Sequence, residues 1–362
     1  MNYKYWLACM VNLIGVKQIH CLLERFGSAE EIYRLEKKQL LRIPYLREET
    51  ADKLIESKKE TEIEASWEQL LKKDIRLVTI EEKEYPNRLR TLPDAPYGLF
   101  IRGELPKEES KSAAIVGARL CSEYGREIAG MLGETLAKAE VEIVSGMAKG
   151  IDSAGHYGAL RGAGNTYAVL GCGTDICYPA GNERLYEKIL KDGGILSEYP
   201  PGTPPLAKNF PMRNRIISGL CDILVVVEAR EKSGSLITAD AALEQGREIY
   251  AVPGRLGDKL SGGCNRLIKQ GAGMILSPED FLTDIGIYKN KKEIKKNFSK
   301  NLLEKEEMLL YSVLDLQPKN INEIINATGF ETSECIRLLA GLEEGGYIRE
   351  TFQNYYIRTL NM

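Results

Sequence analysis

SEYPPGTPPLAKNFPMRNRIISGLCDILVVVEAREKSGSLITADAALEQG, residues 197 to 246, decides how this chain is read. A proline-rich loop runs into Lys208, Phe210, Arg213 and Arg215. Ile223 to Val227 follows as a continuous apolar run, the pattern of a strand covered on both faces. A second polar loop, Ser233-Gly234-Ser235, then opens another helix. Helix N-termini present unpaired N–H groups that favour anions. Two such termini with the cations Lys208, Arg213 and Arg215 and the aromatic Phe210 are the chemistry of holding phosphates and stacking a base. No evident catalytic acid, base or nucleophile accompanies them.

The same alternation extends on both sides. Apolar runs at AAIVG (113–117), VEIVSG (141–146), TYAVLG (166–171), ILSE (195–198), EIYAVPG (248–254) and GMIL (273–276) are separated by segments with helical spacing, such as Ile128, Met131, Leu132 and Leu136. Strand-helix alternation predicts a parallel, doubly wound α/β sheet, with ligands at the carboxyl ends of its strands. Before it, residues 1 to 70 read as short helices with apolar positions three and four apart. Their mixed glutamate and lysine content favours a packing or interaction role over DNA-backbone binding. Residues 71 to 111 hold two strand-like runs, IRLVTI and GLFIRG, and four prolines that exclude a long helix. Residues 286 to 301 are lysine-rich and read as a linker. Residues 302 to 362 have the order of a small winged helix: an apolar helix around Leu309 to Leu314, NINEIINATG with Asn320 as N-cap and Gly329 as stop, ETSECIRLLAGLEEGG, and wing strands YIRE and YYIR. Glu331, Glu334, Glu343 and Glu344 against Arg337 would repel phosphate, so this helix is expected to contact protein rather than DNA.

The bulk numbers narrow the function. At 362 residues, two or three domains are expected. A net charge of −3 excludes a globally basic nucleic-acid binder, so any polyanion site must be a local basic groove. No apolar run reaches the roughly 20 residues of a membrane span, and the apolar start MNYKYWLACMVNLIG reads as a core helix rather than a signal peptide. The eight cysteines include no C-x-x-C, and the two histidines, His20 and His156, lie far from Cys172 and Cys177 in sequence. Free thiols in a reducing cytosol are expected, with no metal site and no cofactor.

Several loops carry candidate residues. Ile115-Val116-Gly117-Ala118-Arg119 ends the first strand without the G-x-G-x-x-G of dinucleotide sites. Arg119 stands open between a bidentate phosphate fork and a surface arginine capping the strand. Ser145 and Gly146 begin a loop that can form an anion nest, and Lys149 adds charge. Asp152 reads as an N-cap, His156 as structural, and Tyr178 as part of a rigid turn with no role. Single-strand sites combine a cationic track with aromatic platforms, which singles out Phe210 with Lys208, Arg213 and Arg215. Asn209 and Asn214 are placed to bond base edges or phosphates. The competing reading makes Phe210 core and pairs the two arginines with carboxylates such as Asp222 or Glu228.

Seven blocks, IVGAR, SGMAKGIDSAGH, AVLGCGTDICYP, LSEYPPGTPP, NFPMRNRIISG, EAREKSGSLITADAALEQGREIYAVPG and GCNRLIKQGA, resemble the DNA-processing protein A family (DprA/Smf) in order and spacing. The resemblance covers about residues 112 to 282. It implies an extended Rossmann-like domain that binds single-stranded DNA. It also implies an N-terminal SAM or helix-hairpin-helix-like domain and a C-terminal winged-helix-like domain. Family members act without catalysis in natural transformation. They dimerise, protect incoming strands, displace single-strand-binding protein and help load RecA recombinase. By motif the DNA-contacting positions are Arg119, Ser145, Gly146, Lys149, Asn209, Phe210, Arg213 and Arg215, with Ser233 and Gly234 beside them. The family often has Ser or Thr in place of Ala118 and Arg in place of Lys149. The main alternative is a Rossmann-type nucleotide enzyme, a nucleotide hydrolase or phosphoribohydrolase, holding phosphate at Ser145, Ser233 and Thr238. Asp152, Glu198, Glu228 and Asp240 would be its acids, Glu198 and Glu228 the best placed. An adaptor acting through the winged helix is a third reading.

Overall fold

A computed structural model describes residues 2–43, 46–287 and 305–359. Helices α1 (Tyr3–Cys9), α2 (Val11–Phe26), α3 (Ala29–Arg34), α4 (Lys37–Leu40), α5 (Glu48–Glu56) and α6 (Glu60–Lys72) form the N-terminal unit. Their apolar stripes close on one core with Trp6, Leu7, Ile19, Leu22 and Leu54, which Tyr97 and Phe100 of the following segment complete. Pro44 and Tyr45, within a stretch whose sequence reads as a tight turn before a helix, lie outside the described residues.

The centre is one nine-stranded sheet. Its strands are β1 (Arg76–Thr79), β2 (Gly98–Gly103), β3 (Ser112–Val116), β4 (Glu142–Ser145), β5 (Thr166–Val169), β6 (Gly193–Ser197), β7 (Ile223–Val226), β8 (Glu248–Ala251) and β9 (Gly273–Met274). They lie in the order β1-β2-β6-β5-β4-β3-β7-β8-β9. From β6 to β9 every pairing is parallel, whereas β2 joins β6, and β1 joins β2, antiparallel. The segment expected to bridge two domains therefore adds two strands to the sheet itself. Strands β3, β4, β5 and β7 are buried along their whole length, which is why their sequences are apolar without alternation.

Helices cover both faces. On one lie α7 (Asn87–Arg90), α11 (Asn209–Leu220), α12 (Gly234–Glu244) and α13 (Gly262–Lys269). On the other lie α8 (Glu123–Lys138), α9 (Ile151–Arg161) and α14 (Pro278–Asp284), with α10 (Glu183–Lys191) packed beside them. The chain leaves β3 toward β4, β5 and β6, then returns to place β7 on the other side of β3. The order reverses between β3 and β7, and such a switch point opens a crevice at the strand ends.

The C-terminal unit consists of α15 (Lys305–Val313), β10 (Lys319–Asn320), α16 (Ile321–Thr328), α17 (Thr332–Glu344), β11 (Ile348–Phe352) and β12 (Tyr355–Arg358). Asn320 and Glu323 form a reciprocal capping box, and Gly329 ends α16 in the left-handed region with φ 73°. The sheet order β10-β12-β11 makes this a winged helix. The lysine-rich linker expected over 286–301 lies, from residue 288, outside the described residues.

Candidate nucleic-acid interface

A cavity of about 580 Å³ occupies the switch point. The loops after β3, β4, β5, β6 and β7 all reach it. They bring Arg119, Asp152, Tyr178, Phe210 with Arg213, and Arg230 with Lys232 and Ser233 to one wall. Four cations face one carboxylate there.

Phe210 is the centre of the arrangement. The Arg119 guanidinium lies 5.4 Å from its ring centroid and that of Arg213 lies 5.9 Å away. Tyr178 packs against it at 5.4 Å with the rings inclined by 32°. Phe210 is half-buried, while Arg119 is exposed and has no ion pair among the described residues. A ring held by cations, with a second exposed ring beside it, offers a face to a base and charge to the flanking phosphates.

Arg213 is held from behind. Its Nη1 donates to the carbonyls of Gly146, at 3.0 Å, and of Val169. Its Nε donates to Asn214 Oδ1 at 3.2 Å. Burial pulls its guanidinium down to about 10, with nearby Asp152 opposing, so it is still charged near neutral pH. Burial also raises Asp152, which accepts from the Gly146 N–H at 3.2 Å. A Cβ on Gly146 would stand 2.7 Å from Arg213 Nη2, so this glycine makes room for the arginine. Asn214 and Ser233 reach the cavity wall as well. Ser233 caps α12 through the Ser235 N–H, and Gly234 has open space where a side chain would be.

Other sequence candidates are placed elsewhere. Arg215 turns away from the cavity and is 6 % exposed. It forms a two-pronged pair with Glu198, at 3.0 and 2.7 Å, and reaches Asp94 at 3.1 Å. Burial opposes its charge, but Glu198 and Asp94 outweigh it and hold the guanidinium above its usual value. The structure thus places Arg215 in a carboxylate pair of the kind the competing reading described, with Glu198 and Asp94 in place of Asp222 or Glu228. Ser145 is fully buried and donates to the Ile115 carbonyl at 2.6 Å, tying β4 to β3. Gly146 is likewise buried behind Arg213. Asn209 is 3 % exposed and donates to the Gly171 carbonyl at 3.1 Å. These three shape the site from within rather than lining it. Lys208 is exposed at the head of α11, outside the cavity wall, and Lys149 faces a neighbouring cavity.

Sequence reasoning missed three residues of the wall: Tyr178, Arg230 and Lys232. The two charges sit immediately before Ser233, a signal that was readable. Tyr178 is not readable locally, because the loop after β5 must first fold back over α11. The histidine expectation stands: His156 is fully buried, bonded through Nδ1 to Thr166 Oγ1 at 2.6 Å, and burial pulls it down to about 3.

A switch-point cavity with cations around an aromatic ring marks a Rossmann-like domain whose crevice is chemically suited to polyanions and bases. The family of DNA recombination-mediator protein A matches residues 76–286, and the chain belongs to that family. DNA processing protein DprA of Streptococcus pneumoniae strain R6 is 46% identical over 200 residues, which cover 55% of this chain and 71% of that one. The X-ray structure of the S. pneumoniae protein superimposes with a TM-score of 0.69 at 34% identity, over 80% of this chain and 99% of that one. DNA processing protein A of Helicobacter pylori, whose structure was reported for its single-stranded DNA binding mode, gives a TM-score of 0.54 at 29% identity. That match covers 58% of this chain and 95% of that one.

Proposed function

We propose that this chain binds single-stranded DNA as a recombination mediator, protecting incoming strands and helping to load RecA recombinase during natural transformation. The observation that carries this reading is the Phe210 ring with Arg119 and Arg213 at 5.4 and 5.9 Å from its centroid and Tyr178 beside it, at the switch point. Stacking on aromatic faces tolerates any base, and a duplex keeps its bases inside. The binding mode reported for the H. pylori relative supports the same ligand.

The reading is non-enzymatic. Glu198, the best-placed acid, is neutralised by Arg215, and Glu228 accepts from the Ser122 N–H and Oγ, at 2.9 and 2.5 Å, at the start of α8. Asp152 faces Arg213, and Asp240 points to solvent on α12. These carboxylates do not converge on one reacting centre.

The partners follow from the role. Single-strand-binding protein surrenders the strand and RecA receives it. A second copy of this chain fits the free edge of β9, where Met274, Leu276 and the neighbouring Leu243 are exposed by 44%, 69% and 70%. The cytoplasm is the compartment of this role, in keeping with eight free cysteines. Residues 112–285 are the strand-binding domain, flanked by the helical domain 1–70 with its 71–111 extension and by the winged helix of 302–362.

Fluorescence anisotropy of labelled oligo(dT) and a matched duplex, across a salt series, tests the reading. Tight, strand-selective, salt-sensitive binding that weakens in Arg119→Ala is expected. Equal affinity for both forms would overturn it.

A further inference from the structure

We propose that the strand groove does not end at Arg119 but continues into a second cavity over α8 and α9, closed on its outer side by the winged helix. This cavity holds the next nucleotides of the same strand. The inference rests on the single-strand reading above and extends it.

Three observations carry it. The first is continuity. Arg119 and Leu120 line both cavities, so the second, of about 860 Å³, adjoins the first at these two side chains. The second is charge. Arg119, Arg126, Lys138, Lys149, Arg161 and Arg349 line it, against Glu127 and Glu134 alone. Both carboxylates are engaged by cations of the same wall, and Arg126 pairs with Glu123 at 3.4 Å, which leaves Arg119 and Lys149 unpaired among the described residues. Glu134 takes Lys138 at 2.6 Å and Arg161 at 3.0 Å, and Glu127 takes Arg349 at 2.6 Å. Lys149 has no ion pair among the described residues, and its position beside Arg119 continues the cationic track.

The third is a second aromatic platform. Tyr157 on α9 lines the cavity and is 36% exposed, and Lys188 stands 5.8 Å from its ring centroid. Ring and cation repeat on a smaller scale the pairing of Phe210 with its arginines. Such repetition along a track suits a polymer of stacked bases and regularly spaced phosphates better than one compact ligand.

The winged helix completes this second cavity. Arg349, on β11, pairs with Glu123 at 3.0 Å as well as with Glu127. Without it Glu127 on the cavity wall would lose the cation that pairs with it. The unit contributes through its wing strand, and the acidic α17 has no part in the groove.

The test is anisotropy with labelled oligo(dT) from about 4 to about 16 nucleotides, the range of single-strand site sizes. It compares wild type, Tyr157→Ala, Tyr157→Phe and Arg349→Ala. Short oligonucleotides should bind all four equally, because they fill only the Phe210 cavity. Long ones should bind Tyr157→Ala about tenfold more weakly, in line with the loss of one stacked base. Tyr157→Phe should restore them, and Arg349→Ala should weaken long strands selectively. Unchanged affinity at every length in Tyr157→Ala and Arg349→Ala overturns the extension and leaves the first cavity standing. A loss equal at all lengths overturns it too. If wild type binds no oligo(dT) of any length, the first reading has failed and the extension falls with it.

Discussion

Arg213 and Arg215 are two residues apart on α11 and do opposite work. Arg213 stands beside Phe210 on the cavity wall, only 4% exposed, its guanidinium held by backbone carbonyls with Asp152 close by. Arg215 points through the other face of the helix into Glu198 and Asp94, where its charge is spent on the fold. Helix α9 divides in the same way: His156 is sealed inside, and Tyr157, its neighbour, lines a groove. Cationic or aromatic character alone therefore does not place a residue on a cavity wall in this chain.

The contrast is most sharply tested at Arg215. Arg215→Ala would strand Glu198 in the interior, and breaking a buried pair from one side costs about 3–5 kcal/mol. Urea unfolding should record a loss of that order. Any fall in DNA affinity should vanish once the folded fraction is corrected for, and a separate binding defect in folded protein would break the division. Phe210→Ala should do the reverse. Affinity for oligo(dT) should fall by about 1–3 kcal/mol, the worth of a stacked base, with a smaller effect on unfolding than Arg215→Ala.

The buried side of α9 gives a pH test. His156 stays neutral in the fold down to about 3, while the unfolded chain takes its proton near 6.5. Its folded value is depressed, so its contribution is fully present above 6.5 and fades as pH falls toward 3. The slope is about 1.4 kcal/mol per pH unit in that window. Unfolding free energies of wild type and His156→Asn between these limits should converge as the medium turns acid. Parallel curves would show that the histidine is protonated in the fold. The smallest effect belongs to Arg119. Arg119 is exposed and unpaired among the described residues, so if it neutralises one phosphate, Arg119→Ala should lower the logarithmic salt slope by about 0.7. An unaltered slope would leave Arg119 as a platform for Phe210 only.

Part of this division is legible in the sequence alone. Successive residues on a helix turn by about 100°, so positions i and i+2 point about 200° apart. That spacing sets Arg213 and Arg215 on different sides of α11, although both sit in the same run of charge. The parallel strands are legible because burial on both faces writes itself as unbroken apolar runs. β1 and β2 are not, since a short run with prolines around it looks alike at a linker and at a sheet edge. Ser145 and Asn209 look like ligands because their polar atoms are visible in sequence and their backbone partners, the carbonyls of Ile115 and Gly171, are not. Tyr178 and the join between the two cavities depend on contacts between distant segments, which local spacing does not encode.

Gly150 has a last consequence. Its φ is +81°, and a Cβ there would lie 2.3 Å from the Ala118 carbonyl, while the Ile151 N–H bonds that same oxygen at 3.3 Å. The loop bearing Arg119 and the loop bearing Lys149 are therefore locked backbone to backbone and travel as one body. A strand arriving at this surface meets cations whose spacing is set in advance, so little ordering entropy is lost on capture. Arrival is then governed by diffusion and charge, and the time a strand stays by how many bases have found a ring.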